Sequence, residues 1–200
     1  MAATKAQQIG IWIIAATMTI GTIGGFIGLV LANDNSSKDT AQQQTDYEKQ
    51  LAEYTKQQKA AAQTNADNSV ALAGYAAEPF DPASVTALKK DIIVNGTGDE
   101  VKSTDSIKAS YFGWTSDGKI FDSSTKKDTN TDTPVTFALS SVIKGWTEGL
   151  AGQRVGSTVK LTIPADLAYG AQGSGVIAAN APLVFIVTIH SIEAATTSAQ

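Results

Sequence analysis

Three runs in the second half of the chain alternate apolar with polar residues, and a fourth places Phe185, Val187 and Ile189 on one face; this period of two restricts the fold more than any other feature. The runs lie at 107–113, 135–139, 158–163 and 183–192. Such alternation places successive side chains on opposite faces of a strand, so each run predicts a strand with one buried face. Only 146–151 indicates a helix in this half, and it is very short. Mostly antiparallel strands wrapped around one short helix predict an α+β fold.

Three shorter signals accompany these runs. The apolar residues 92–94 predict a short strand that ends at Asn95. Asp117 is followed by a glycine, a pair that is typical of hairpin turns. His190 lies out of phase with the apolar positions of the last run, so we expect it to face solvent and to have no catalytic role.

The composition excludes several classes of function. The chain has 15 Lys and Arg against 19 Asp and Glu among its 200 residues, and this balance provides no basic surface for nucleic acid. Cysteine is absent, which excludes disulfides and thiolate nucleophiles. The single histidine excludes a histidine-rich metal site. We therefore expect no metal site and no nucleic-acid partner.

Residues 9–32 carry no charge and are dominated by Ile, Ala, Gly, Thr and Val. About 24 residues of this kind suffice for a helix to cross a ~30 Å hydrocarbon core, so we expect a single-pass membrane anchor. The alternative is a signal peptide cleaved after Ala32, which would give a secreted protein, although its apolar segment would be unusually long. Lys5 predicts that residues 1–8 are cytoplasmic and that the rest of the chain lies outside the cytoplasm.

Residues 33–78 are poor in large apolar side chains and rich in Gln, Ala, Asn, Thr and Lys. Thr45, with Glu48 three positions later, forms a capping box that predicts the start of a helix, and the polar run 65–69 predicts its end. We expect a partly helical spacer that holds the next domain off the membrane. A helix that binds a partner protein is the alternative.

The remaining chain divides into an expected domain at 79–194 and a tail at 195–200. Four separated motifs in this domain carry its chemistry: Tyr111-Phe112-Gly113, Ile120-Phe121-Asp122-Ser123-Ser124, the run from Val142 to Leu150, and Leu167-Ala168-Tyr169-Gly170-Ala171. Trp146 opens the short helix, and its large flat ring is suited to the base of a small apolar pocket. Over about residues 86–194, these motifs and their order resemble the FKBP family of peptidyl-prolyl cis-trans isomerases.

The resemblance implies a role for each motif. It implies that Trp146 forms the floor beneath a substrate proline, and that Asp122 accepts a hydrogen bond from Tyr111 beside the reacting carbonyl. It also implies that the backbone N–H of Ile143 and the hydroxyl of Tyr169 donate to substrate carbonyls. The remaining substrate-binding residues form pocket walls and a flap: Phe121, Val135, Phe137, Val142 and Phe185 as walls, with Val176 and Ile177 in the flap.

The implied reaction is rotation about an Xaa-Pro peptide bond, so the implied substrates are proline-containing polypeptides. The barrier of ~18–20 kcal/mol comes from amide resonance, and rotation requires no nucleophile, metal or cofactor. Macrolides like tacrolimus and rapamycin are further ligands that the resemblance implies. Two departures from the family bear on ligand preference. Val135 stands where an aromatic residue is frequent, and alanines occupy 178–179 where prolines are usual.

The main hypothesis is a membrane-anchored isomerase that assists the folding of exported proteins. The alternative is a non-catalytic FKBP-like module or chaperone that binds proline-containing segments. Retention of the residues with implied catalytic roles favours catalysis. We expect residues 80–200 to fold alone and to catalyse, and we expect replacement of Asp122 to leave the fold nearly intact. Lys126 is expected in a solvated loop.

Overall fold

The computed structural model describes residues 37–193, with side chains from residue 45 onward. The expected anchor at 9–32, the segment 1–8 and the tail 195–200 lie outside the described residues. Within residues 37–193, no helix has both the length and the apolar character needed to cross a bilayer. Contacts divide the chain into two units, and the second begins at Gln63.

Two α-helices and eight strands make up the described part of the chain, with short 3-10 turns at Pro82–Ser84, Leu139–Ser141, Ala165–Leu167 and Gly170–Gln172. The helices are α1 (Ser37–Asn68) and α2 (Lys144–Leu150). The strands are β1 (Lys89–Val94), β2 (Ser106–Trp114), β3 (Ile120–Ser123), β4 (Thr125–Lys126), β5 (Thr131–Asp132), β6 (Val135–Ala138), β7 (Thr158–Ile163) and β8 (Leu183–Glu193). Antiparallel strands with one short helix in the second unit confirm the predicted α+β fold.

The main sheet is antiparallel and centred on β2 and β8. Its order is β1-β7-β8-β2-β3, and β6 pairs with the first half of β2 on the same side as β3. β4 and β5 form a separate two-stranded ribbon. Thr115 and Lys119 close the β2–β3 hairpin, where Gly118 adopts a positive φ as the turn signal indicated. His190 on β8 is exposed, as expected.

Helix α2 packs against β7 at unusually close range. A Cβ on Gly145 would lie 2.3 Å from Cγ2 of Ile163, and one on Gly149 would lie 2.7 Å from Cδ2 of Leu161. Glycine allows this approach without strain, whereas a larger residue would require the helix or the Ile163 and Leu161 side chains to shift. The spacing of these two glycines in the short helix thus lets Trp146 reach the core, where it is 1% exposed.

The centre of the sheet is buried on both faces, which period-two alternation did not predict. All residues from Ala109 to Trp114 are buried, including Phe112, which the alternation had grouped with polar positions. Phe112 and Trp114 stack with ring centroids 5.1 Å apart and pack with Leu72. The stretch 71–80 therefore covers the outer face of the sheet, and the compact unit includes residues ahead of position 79.

Helix α1 begins at Ser37, before the capping box at Thr45. The sequence from 37 to 68 contains no glycine or proline and is rich in Ala, Gln and Lys, so nothing breaks the helix ahead of that box. The helix ends at Asn68, within the polar run that predicted its end. Leu51 is 40% exposed on this helix, and Tyr54 is similarly exposed.

Candidate active site

Five aromatic side chains form one edge-to-face cluster in the second unit. Trp146 lies at its centre, with ring centroids 5.4 Å from Tyr111, 5.1 Å from Phe137 and 5.3 Å from Phe185. Phe185 contacts Phe121 at 5.4 Å. The rings come from β2, β3, β6, β8 and α2, so a single apolar surface joins elements that are far apart in the chain. Edge-to-face packing is favourable and fixes ring orientation.

The indole N–H of Trp146 is buried and has no hydrogen-bond partner among the described residues. Nearly all buried donors in proteins are paired, so this one is an exception. Its ring neighbours are aromatic. The base of the cluster is therefore apolar apart from one unused donor.

A buried carboxylate lies at the edge of this cluster. Asp122 is 2% exposed on β3, and its Oδ2 accepts a hydrogen bond of 2.5 Å from the hydroxyl of Tyr111. Its Oδ1 accepts from the backbone N–H of Ser123 at 2.8 Å, from Nδ2 of Asn65 at 2.9 Å and from Nζ of Lys126 at 3.2 Å. Every oxygen of the carboxylate is thus paired, which buried charges require.

Two of these partners were not identified from the sequence. Lys126 was expected in a solvated loop, but its side chain is only 23% exposed because it turns inward to Asp122. Asn65 was interpreted only as part of the helix end, and it lies 57 positions from Asp122 in the chain. A charged residue four positions after Asp122 was the one local signal available for Lys126. Nothing local could have indicated Asn65.

Two tyrosine hydroxyls of the site stay protonated over the physiological range. Burial, followed by the Asp122 carboxylate, raises the pKa of Tyr111 well above its usual value. The same two causes, in the same order, raise the pKa of Tyr169. The Tyr169 hydroxyl makes no side-chain hydrogen bond within the described residues. It is therefore a protonated donor that remains available to a ligand.

Ile143 offers a second available donor. It precedes α2 as its N-terminal cap residue, and its carbonyl accepts from the backbone N–H groups of Trp146 and Thr147. No acceptor within residues 37–193 pairs with its own N–H. Val142 and Ile143 are both partly buried beside the start of the helix that carries Trp146.

The flap residues Val176 and Ile177 lie in a tight turn. The backbone N–H groups of Ser174 and Ile177 each donate to the other's carbonyl, at 2.9 and 2.8 Å. Gly173 has a φ of 65°, and a Cβ there would lie 2.4 Å from the carbonyl oxygen of Ile177. This turn therefore requires glycine at 173. Ile177 is buried and Val176 is half-buried.

A groove of about 490 Å³ adjoins this flap. Phe121 and Val176 line one part of it, the β2–β3 turn lines another, and residues of the α1 end, including Ala66 and Ser69, complete it. Trp146 does not line this groove. This groove therefore runs beside the aromatic cluster rather than over its central ring.

The contacts join six of the residues that the sequence singled out: Tyr111, Phe121, Asp122, Phe137, Trp146 and Phe185. The other six are connected to this group less directly. Val135, Val142 and Ile143 lie within a few positions of Phe137 or Trp146 in the chain, Val176 lines the groove and Ile177 follows it, and Tyr169 feels the charge of Asp122. Val135 is half-buried on β6 opposite Ala109, two positions before Phe137. The individual roles of all twelve remain predictions.

Comparison with known proteins places the second unit among isomerases. The model of the family described as FKBP-type peptidyl-prolyl cis-trans isomerase matches residues 98–190. FkpA of Aeromonas hydrophila, an isomerase of this type, is 34% identical over 94% of this chain and 69% of its own length. FkpA of Escherichia coli is 36% identical over 70% of this chain and half of its own length. Outer membrane protein MIP of Legionella longbeachae is 34% identical over 74% of this chain and 60% of its own.

Proposed function

The chain belongs to the family of FKBP-type peptidyl-prolyl cis-trans isomerases, and we propose that it catalyses rotation of Xaa-Pro bonds at the aromatic cluster around Trp146. The observation that carries this proposal is the buried carboxylate of Asp122, bonded to Tyr111 at the edge of that cluster. The expected fold and the expected isomerase family agree with the comparisons.

The catalytic problem is selective stabilisation of a twisted amide. The planar amide is held by resonance, and catalysis requires that the site bind the twisted form more tightly than the planar one. The twisted form is less dipolar, so an apolar surface around the proline favours it. The rings of Trp146, Phe137 and Phe185 provide this surface. Phe121, Val135 and Val142 extend its walls in the proposal.

Hydrogen-bond donors hold the substrate backbone. The free N–H of Ile143 and the free hydroxyl of Tyr169 each have the chemistry to donate to a substrate carbonyl, and the raised pKa of Tyr169 keeps its proton in place. Val176 and Ile177 cover the substrate from the flap. Asp122 fixes the position of Tyr111 and lies beside the reacting carbonyl. A charge that is already fixed there can act on the transition state without any rearrangement of the site during the reaction.

We further propose that the domain works outside the cytoplasm on exported proteins, held to a membrane by residues 9–32. The uncharged length of this segment supports an anchor, and Lys5 supports its orientation. The relative from Legionella longbeachae is named an outer membrane protein, which supports an envelope location. Cleavage after Ala32 is the competing outcome. The tacrolimus-like and rapamycin-like ligands remain proposals.

The activity is tested with the full chain in a protease-coupled assay on a short Xaa-Pro peptide. We expect isomerisation to be faster than the uncatalysed reaction, which takes tens of seconds or longer. Tyr169→Phe, which removes one proposed donor and little volume, should lower kcat. If the folded chain leaves the rate at its uncatalysed value, the domain is a binding module for proline-containing segments. Determining the mature N-terminus distinguishes an anchor from a cleaved signal.

A further inference from the structure

We propose that Asn65, at the end of helix α1, is a positioning residue that orients the Asp122 carboxylate for isomerisation. Lys126 contacts both Asn65 and the same carboxylate oxygen. The inference rests on the isomerase function proposed above. It assigns to the residues before the sheet a part in the catalytic site that the sequence alone did not give them.

The two oxygens of Asp122 have different partners. Oδ2 accepts from the Tyr111 hydroxyl, whereas Oδ1 accepts from Asn65, Lys126 and the Ser123 backbone. These three donors to Oδ1 belong to different segments of the chain. Together they fix the rotation of the carboxylate. Oδ2 is thereby directed at Tyr111, which contacts Trp146.

The amide of Asn65 has one chemically sensible orientation. Its Oδ1 accepts from Nζ of Lys126 at 2.7 Å, and its Nδ2 donates to Asp122 at 2.9 Å. An ammonium group only donates and a carboxylate only accepts, so a flipped amide would lose both bonds. Asn65 therefore fits between the cation and the anion, and a carboxylate side chain at position 65 would not.

The end of α1 holds this amide in place. The backbone N–H of Lys127 donates to the carbonyl of Asn68 at 2.7 Å, and that of Val70 donates to Thr125 at 3.2 Å. The hydroxyl of Ser69 donates to the Asn65 carbonyl at 2.7 Å and lies 3.0 Å from Nζ of Lys126. Asn65 is 8% exposed. A buried, fully bonded amide on an anchored helix end is a rigid support for the carboxylate.

The decisive variant is Asn65→Asp in the full chain, because it keeps the size of the side chain and replaces the donor with a second carboxylate. Asn68→Asp is the matched control. Asn68 lies one turn away at the same helix end, and its Oδ1 accepts from the Asp128 backbone, a bond that an aspartate keeps. We expect Asn65→Asp to lower kcat roughly tenfold, the size of one charge-assisted hydrogen bond, with KM within about twofold. Asn68→Asp should leave both constants unchanged.

A second readout does not depend on activity. The ring-carbon NMR signals of Tyr111 report its hydrogen bond to Asp122, so they should shift in Asn65→Asp and stay in place in Asn68→Asp. The kinetic effect should also shrink in a Tyr111→Phe background, because contacting residues are not additive when one acts through the other. If Asn65→Asp does not fold, Asn65→Ala replaces it, with the same expectations.

Each outcome decides the inference. Loss of kcat with a shifted Tyr111 signal supports it. A folded Asn65 variant with unchanged kcat and an unshifted signal overturns it, as does an equal loss in Asn68→Asp. If the wild type shows no isomerase activity while the Tyr111 signal still shifts, the proposed function fails and the structural coupling stands. If the wild type is active but the Tyr111 signal does not shift in the Asn65 variant, only the positioning role is overturned.

Discussion

Gly145 on helix α2 faces Ile163 on β7 so closely that a methyl group on its Cα would lie 2.3 Å from the isoleucine Cγ2. This contact sets the distance between helix and sheet. Because Trp146 follows directly, it also sets the depth of the indole ring beneath Tyr111 and Phe185. The position of the proposed pocket floor thus depends on a glycine that touches no substrate.

Gly145→Ala should therefore destabilise the protein even though alanine is the better helix former. Overpacking of this kind typically costs about 1–3 kcal/mol, more than the ~1 kcal/mol gained in helix propensity. Urea unfolding measures the difference, and the tryptophan fluorescence, to which Trp146 contributes together with Trp12 and Trp114, should change. Glu148→Ala, at an exposed position of the same helix, is the control and should change little. Wild-type stability in Gly145→Ala would show that the helix can shift without cost.

Replacement of Asp122 should affect stability as well as turnover. The sequence suggested that the fold would tolerate it, but the carboxylate is buried and accepts four hydrogen bonds. Asp122→Val leaves the Tyr111 hydroxyl without its acceptor and Lys126 without its counter-charge, although Lys126 keeps its bond to Asn65. We expect a loss of roughly 3 kcal/mol, since Lys126 can still turn toward water. Asp122→Asn should cost less stability and still lower kcat. Thermal unfolding and the peptide assay, run on both variants, separate the two effects; full activity in both would place the site elsewhere.

Leu72→Ala should destabilise the sheet from its outer face. Leu72 is buried against Phe112 and Trp114, and leucine-to-alanine changes in a core typically cost about 2–5 kcal/mol. Leu51→Ala, at an exposed position of helix α1, is the control and should change stability by about 0.5 kcal/mol or less. Denaturant unfolding measures both. Equal effects in the two variants would contradict the packing of residues 71–80 on the sheet.

The same packing changes one expectation for truncation. A fragment 80–200 lacks Leu72, Asn65 and the bond from the Trp114 indole to the Glu78 carbonyl. We now expect it to be less stable and less active than a fragment 63–200. Circular dichroism and the peptide assay on both fragments provide the test.

Alkaline pH should weaken the fold through the buried tyrosines. Both Tyr111 and Tyr169 have raised pKa values in the folded state, whereas an unfolded tyrosine loses its proton near pH 10. Above that pH the folded state binds more protons than the unfolded one, so the free energy of unfolding falls as pH rises. Below about pH 9 the two tyrosines contribute no slope.

Tyr111→Phe tests the sign directly. The variant loses the bond to Asp122 and should be less stable at pH 8, but the difference from wild type should shrink between pH 9 and 11, because only the wild type must keep that proton. Urea unfolding at each pH provides the values. A difference that grows with pH would contradict the assigned direction.

The sequence predicted the elements whose signals are local. Strands β6 and β7 follow their alternation, and the glycine after Asp117 marks the hairpin. Phe112 shows where this fails: period two assigns it to the polar face, and only the distant stretch 71–80 makes that face a second core. The start of α1 was misplaced because a capping box in a helix-forming sequence does not require the helix to begin there.

The residues of the candidate site also differ in whether a local sequence signal could predict them. Tyr111, Asp122, Trp146 and Tyr169 lie in short motifs that carry their own signal. Asn65 carries none, because its importance comes from a hydrogen bond across 57 positions and from the register in which α1 meets β4. Lys126 had the spacing for a contact with Asp122 but the composition of a surface loop, and burial decided between the two.

The pairing of β2 with β8 also determines when the fold can form during synthesis of the chain. The two strands run together from Ser106 against Glu193 to Trp114 against Val184, so partners such as Tyr111 and Val187 are roughly 76 positions apart. The last strand supplies both this central ladder and the Phe185 ring against Trp146. A chain still being synthesised, with β8 missing, would have neither the ladder nor the closed aromatic cluster. This fold should therefore form only after its last strand has been made, and slowly, since long loops must close first.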